Sequence, residues 1–139
     1  MAELIYVSWG GTGRGAALRA AYEEAATANL DLAYLAILDP PTFADLDGAL
    51  LTLVADELEW LLKTHLRTVA EASSSNVECR VVVRIGEVDD EVEAMTRGVD
   101  AAVVVIGAPV ASGQRDIDEL VDALRTRTGI DVHIVDPED

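Results

Sequence analysis

Short apolar runs alternate along the chain with longer stretches in which apolar residues recur every third or fourth position. "LIYV" (4–7), "LDLAYLAIL" (30–38), "VECRVVVR" (77–84), "AAVVVIG" (101–107) and "DVHIV" (131–135) read as strands. After the first lies a glycine-rich turn, then "GAALRAAYEEAATAN", where Leu18, Ala21, Tyr22, Ala25 and Ala28 keep helical spacing and Asn29 is a C-terminal stop. Asp39-Pro40-Pro41 ends the second strand. A long helix follows, with Leu46, Leu50, Leu53, Val54, Leu58, Leu61, Leu62, Leu66 and Val69 expected on one buried face, running into serines 73–75. Val88, Val92 and Met95 mark a third helix that stops at Gly98. Ile117, Leu120, Val121 and Leu124 mark a fourth that stops at Gly129.

Strict alternation of strand and helix predicts an α/β fold, with a five-stranded, mainly parallel sheet in a three-layer α/β/α sandwich. Strands covered on both faces read as continuous apolar runs, as "LIYV", "AYLAIL" and "AAVVVI" do. In "VECRVVVR", Val77, Cys79, Val81 and Val83 share one face while Glu78, Arg80 and Arg84 share the other, which suits an edge. "DVHIV" is short and half polar and suits the opposite edge. The order 3-2-1-4-5 follows, with a topological switch point between strands 1 and 4, where ligands of such sheets bind. The loops there are "SWGGTGRG" (8–15) and "GAPVASG" (107–113).

The 139 residues are one domain's worth of chain, and half of them are hydrophobic. No apolar run approaches the ~20 residues of a membrane helix, and no basic-then-apolar leader is present. The single cysteine, Cys79, cannot form an internal disulfide. A cytoplasmic location is expected. Charge changes the picture most: 26 acidic residues face ten basic ones, only one of them lysine, for a net charge of −16. Such a field repels nucleic acid and anionic membranes, so neither is an expected partner. Acids spread along the whole chain, with almost no lysine, suggest adaptation to molar salt, where repulsion is screened within ~3 Å.

Catalytic chemistry finds little footing. Gly11-x-Gly13-x-x-Ala16, with Asp39 beyond, approximates a dinucleotide fingerprint, but glycines serve tight turns equally well. The absence of Gly-Lys-Ser/Thr removes a P-loop. Ser112 in the second loop precedes a helix whose start could hold an anion, yet Asp116, Asp118 and Glu119 already crowd that end, against only Arg14 and Arg115. His65 and His133 have no ligand spacing around them, so no metal is expected. Cys79 falls on an apolar strand face as a core residue, and Asp89-Asp90 serve a helix dipole. No Ser/His/Asp arrangement presents itself, and the expectation is no enzyme.

The stretch "VVVRIGEVDDEVEAMTRGVDAAVVVIGAPVASG" resembles the universal stress protein family through Gly86, Gly98, Asp100, Gly107, Ser112 and Gly113. "VSWGG" is similar to that family's opening strand and turn, with Gly10 shared. The resemblance spans nearly the whole chain and implies one universal-stress-like domain over 1–139. It also implies a nucleotide cleft at Ser8, Trp9, Gly10, Gly11, Gly13, Gly107, Val110, Ser112 and Gly113. The family's ATP-binding members place an Asp where Trp9 stands, a second glycine where Val110 stands, and a Gly-Ser/Thr pair where Leu120-Val121 stand. These departures lead us to expect a non-enzymatic regulatory or protective protein with no ATP cofactor and room for an unidentified protein partner. The alternative is an ATP-, AMP- or small-anion-binding module built on the same two loops. The last strand is expected to leave Val132, Ile134 and Val135 partly exposed. With His133 and the resemblance, this points to a homodimer through 131–135.

Overall fold

In the computed structural model, residues 2–9, 15–38, 48–72, 77–107 and 117–135 are described. Strands β1 (Glu3–Trp9), β2 (Asp31–Leu38), β3 (Cys79–Ile85), β4 (Ala101–Gly107) and β5 (Asp131–Val135) alternate with helices α1 (Gly15–Ala28), α2 (Gly48–Ala72), α3 (Val88–Gly98) and α4 (Ile117–Thr128). Every strand pairing is parallel, and the sheet order is β3-β2-β1-β4-β5. The two half-polar strands are indeed the edges.

Side chains alternate across a strand, so β1 sends Leu4 and Tyr6 to one face and Ile5 and Val7 to the other. On the first face they meet Leu18, Ala21, Tyr22 and Ala25 of α1 and Leu62, Leu66 and Val69 of α2. On the second they meet Val88, Val92 and Met95 of α3 and Leu120, Val121 and Leu124 of α4. Both faces of the central strands are therefore covered, which is why those strands read as unbroken apolar runs. Asn29 (φ 60°) and Gly129 (φ 70°) take the left-handed conformation that ends α1 and α4.

Three expectations are corrected. β1 does not stop at Val7: Ser8 pairs with Ala36 and Gly107, and Trp9 with Ile37, so both are strand residues and the turn begins later. The leucine run of α2 is wider than its buried stripe. At roughly 100° per residue, Leu53 lies nearly opposite the 58-62-66-69 stripe and Leu61 a quarter turn away, and they are 63% and 52% exposed. Val132, expected to be partly exposed at the edge, is fully buried beneath α4. Leu46 lies outside the described residues, as do the side chains of Leu50 and Val54.

Polar ties fasten the layers from outside. Arg80 of β3 donates two 2.9 Å hydrogen bonds to Glu3, the first residue of β1. Arg127 at the end of α4 reaches Asp90 at 2.9 Å, Glu93 at 2.8 Å and Asp89 at 3.6 Å, binding α4 to α3. Asp89 and Asp90 also lie in the first turn of α3, where they complement its dipole. Arg125 donates from Nε and an Nη to the Val132 carbonyl, at 3.0 and 2.7 Å.

Candidate functional site at the switch point

The carboxyl ends of β1 and β4 meet where Ser8 stands in register with Gly107. One step down each strand, Tyr6 pairs with Tyr34 of β2, and their rings make an edge-to-face contact with centroids 5.0 Å apart. Ser8, buried like its neighbours, hydrogen-bonds the Tyr34 hydroxyl. The Tyr6 hydroxyl is fully buried and meets no hydrogen-bonding partner among the described residues. Burial holds both phenols above their ordinary value, so they stay protonated at any physiological pH. Their role is limited to packing and neutral hydrogen bonding.

Gly107 owes its identity to this arrangement. A methyl group on its Cα would run into the Tyr6 hydroxyl oxygen, with the ring carbon Cζ only 3.0 Å away. Tyr6 leans along its strand toward the carboxyl end and fills the space beside the Gly107 backbone. A glycine that the sequence suggests for ligand approach is thus explained by packing. Tyr6 and Tyr34 were not singled out from sequence. The available signal was period-two alternation, which puts Tyr6 on the same face as Ser8.

Leu120 and Val121, the positions onto which the resemblance carries the Gly-Ser/Thr pair, are 0% and 5% exposed and pack with Ile5, Val104 and Ile106. Gly10, Gly11, Gly13, Val110, Ser112 and Gly113 lie outside the described residues, as do the side chains of Trp9 and Val135. Among the described residues, the structure joins Ser8 to Gly107 and adds Tyr6 and Tyr34 to them.

Elsewhere, His133 of β5 places Nε2 2.8 Å from Glu24 Oε1 of α1, and both side chains are about a third exposed. Ile134 is partly buried against the aliphatic cluster. Burial pushes the Cys79 thiol up to about 11, leaving it protonated and weakly nucleophilic at neutral pH. Among the described residues, no group of three or more His, Cys, Asp or Glu could hold a metal ion. No described helix is long and apolar enough to cross a membrane.

A family model described as the universal stress protein family matches residues 5–135. No curated protein matches the sequence. Among solved structures, UspA from Lactobacillus plantarum is similar with a TM-score of 0.72 at 14% identity, covering 99% of this chain and 97% of its own. A universal stress protein crystallised in complex with cAMP gives 0.68 at 18% identity, over 99% and 98%. One from Archaeoglobus fulgidus, in complex with dAMP, gives 0.60 at 16% identity, over 96% of each. At these identities the likeness shows the α/β fold and its strand order.

Proposed function

The chain belongs to the universal stress protein family, and from that premise we propose that it is a non-enzymatic regulatory or protective protein of the stress response whose switch-point cleft no longer takes ATP. The observation that carries this reading is the burial of Leu120 and Val121 in the α3/α4 core. Side chains turned into the core cannot coordinate a phosphate chain. Trp9 and Val110, standing where the family pattern has Asp and glycine, remove further contacts. Each lost charge-assisted contact is worth about 1.5–3 kcal/mol. Losing two or three carries a micromolar site to about millimolar or weaker.

A second reading rests on two observations. The structural neighbours carrying cAMP and dAMP hold monophosphates, which need fewer phosphate contacts than ATP does. The Tyr6 hydroxyl, which has no partner among the described residues, also lies beside Gly107 at the carboxyl ends of β1 and β4. This reading makes the protein an AMP-type or small-anion binder through loops 8–15 and 107–113. Tryptophan fluorescence titrated with ATP, AMP, cAMP and NAD separates the two. Our reading expects no saturable change with any of them. A saturable change with AMP or cAMP alone establishes the second reading, and one with ATP overturns the first.

The same proposal makes the protein a cytoplasmic, salt-adapted homodimer joined through 131–135. Self-repulsion among the 26 acids should lower the melting temperature in about 0.1 M KCl relative to about 2 M KCl. Equal melting temperatures remove the salt adaptation. Sedimentation equilibrium in high salt should return twice the chain mass of 14.8 kDa. A single-chain mass at micromolar concentration contradicts the dimer.

A further inference from the structure

At the other end of the sheet, a groove of about 440 Å3 opens between the C-terminal half of α2 and the outer strand β3. Cys79, Arg80 and Val81 begin β3 and pair with Leu32, Ala33 and Tyr34 near the start of β2. The groove therefore lies toward the amino ends of the strands, away from the switch point. Its volume falls in the range of small-molecule sites, as does its mixture of apolar wall and few polar groups. Leu66, Cys79 and Val81 contribute apolar wall, and the Cys79 thiol, protonated at neutral pH, adds no charge.

The charged lining is all of one sign. The side chains of Lys63 and Arg67 of α2 border the groove, whereas that of Arg80 leaves β3 on the opposite face, where it meets Glu3. In a chain with 26 acids and ten bases, two neighbouring cations mark the α2 rim of this concavity, with Glu59 beside Lys63 and Asp31 within electrostatic reach of Cys79. The two are not equally available. Lys63 is 3.7 Å from Glu59. Arg67 has no carboxylate partner among the described residues. Lys63 and Arg67 stand four residues apart on α2, so their side chains project from one helix face.

We infer that this groove binds a small anionic amphiphile, with its apolar body against Leu66, Cys79 and Val81 and its carboxylate or phosphate head on Arg67 beside Lys63. The apolar wall alone would accept neutral molecules. The cations select an anion, and they do so on a surface whose net charge of −16 repels anions elsewhere. A guanidinium matches a carboxylate or phosphate head through paired hydrogen bonds. This inference is independent of what the switch-point cleft binds.

Decanoate below its micellar concentration is the probe, with decanol and acetate as controls and calorimetry as the readout. Decanoate should bind saturably, and decanol and acetate each at least about tenfold more weakly, as expected when head and body both contribute. Arg67→Glu should weaken decanoate binding about tenfold or more, while Arg67→Lys retains most of it. Arg67 is exposed, so neither substitution threatens the core. Because Cys79 is the only cysteine, its maleimide labelling rate reports occupancy directly and should fall when decanoate is present. Equal affinity for decanol, an unchanged Arg67→Glu variant, unprotected Cys79, or association with anionic phospholipid vesicles in place of free decanoate would each overturn the inference.

Discussion

Beneath α1 and α2 the sheet presents Leu4, Tyr6, Tyr34 and Ala36; beneath α3 and α4 it presents Ile5, Val7, Leu35, Val104 and Ile106. The buried strand residues of the second face are all aliphatic, closed by Leu120, Leu124 and Val92 and tied from outside by Arg127. Its neighbour across the sheet has hydroxyls at one end, from Tyr6, Tyr34 and Ser8, and an open groove at the other. One layer of strands thus separates a face built for stability from a face that keeps polar atoms and space. Candidate chemistry belongs to the α1/α2 side, and substitutions on the two sides should behave differently.

The largest contrast comes from Leu120→Gly, which empties the aliphatic core. Loss of a fully buried leucine costs about 3–5 kcal/mol, and glycine in a helix interior adds about 1 kcal/mol. Denaturant unfolding should show a loss of that size with no gain of ATP binding. A loss below about 1 kcal/mol would mean that this face is not the closed core described.

On the other face, Gly107→Ala drives a methyl into the Tyr6 hydroxyl and should cost about 1–3 kcal/mol. The cost should shrink in a Tyr6→Phe background, since the oxygen in the way is gone. A double-mutant cycle should return a coupling of about 0.5–3 kcal/mol. Additive effects would separate Gly107 from Tyr6 and return the glycine to a ligand role.

Alkaline pH should find the same face. Cys79 is raised to about 11, and Tyr6 and Tyr34 lie above the ordinary phenol value of 10. The unfolded chain gives up these protons first, so their contribution is intact below about pH 9 and declines as pH rises. Cys79 acts first, followed above pH 10 by the tyrosines, at up to about 1.4 kcal/mol per pH unit for each phenol. Cys79→Ala should move the onset upward by about one unit in a melt-versus-pH series. An unchanged onset would show the thiol to be free of burial. The smallest effect is Tyr6→Phe alone, which removes a buried hydroxyl without a partner among the described residues and should stabilise the protein by about 1 kcal/mol. A loss of stability instead would reveal a partner for that oxygen.

What could be read from sequence was local. The edge character of β3 and β5 lay in their own alternation, and Asn29 and Gly129 announced the left-handed stops they make. What could not be read depends on partners distant in the chain. Ser8 and Trp9 look like turn residues until Ala36, Ile37 and Gly107 pair with them. Leu53 and Leu61 count as core in a leucine tally, yet among its described side chains α2 buries only the narrow stripe that the sheet can reach. Val132 looks exposed from its edge position, but α4 folds over it. The packing reason for Gly107 needs Tyr6, 101 residues earlier, to lean across from β1.

Calorimetry of the wild-type chain with Mg-ATP in high salt tests the central claim most directly. With Leu120 and Val121 in the core and Tyr6 against Gly107, no saturable heat is expected below about 1 mM ATP. A micromolar isotherm that disappears in Trp9→Ala would contradict the account and show a nucleotide stacked at the carboxyl end of β1.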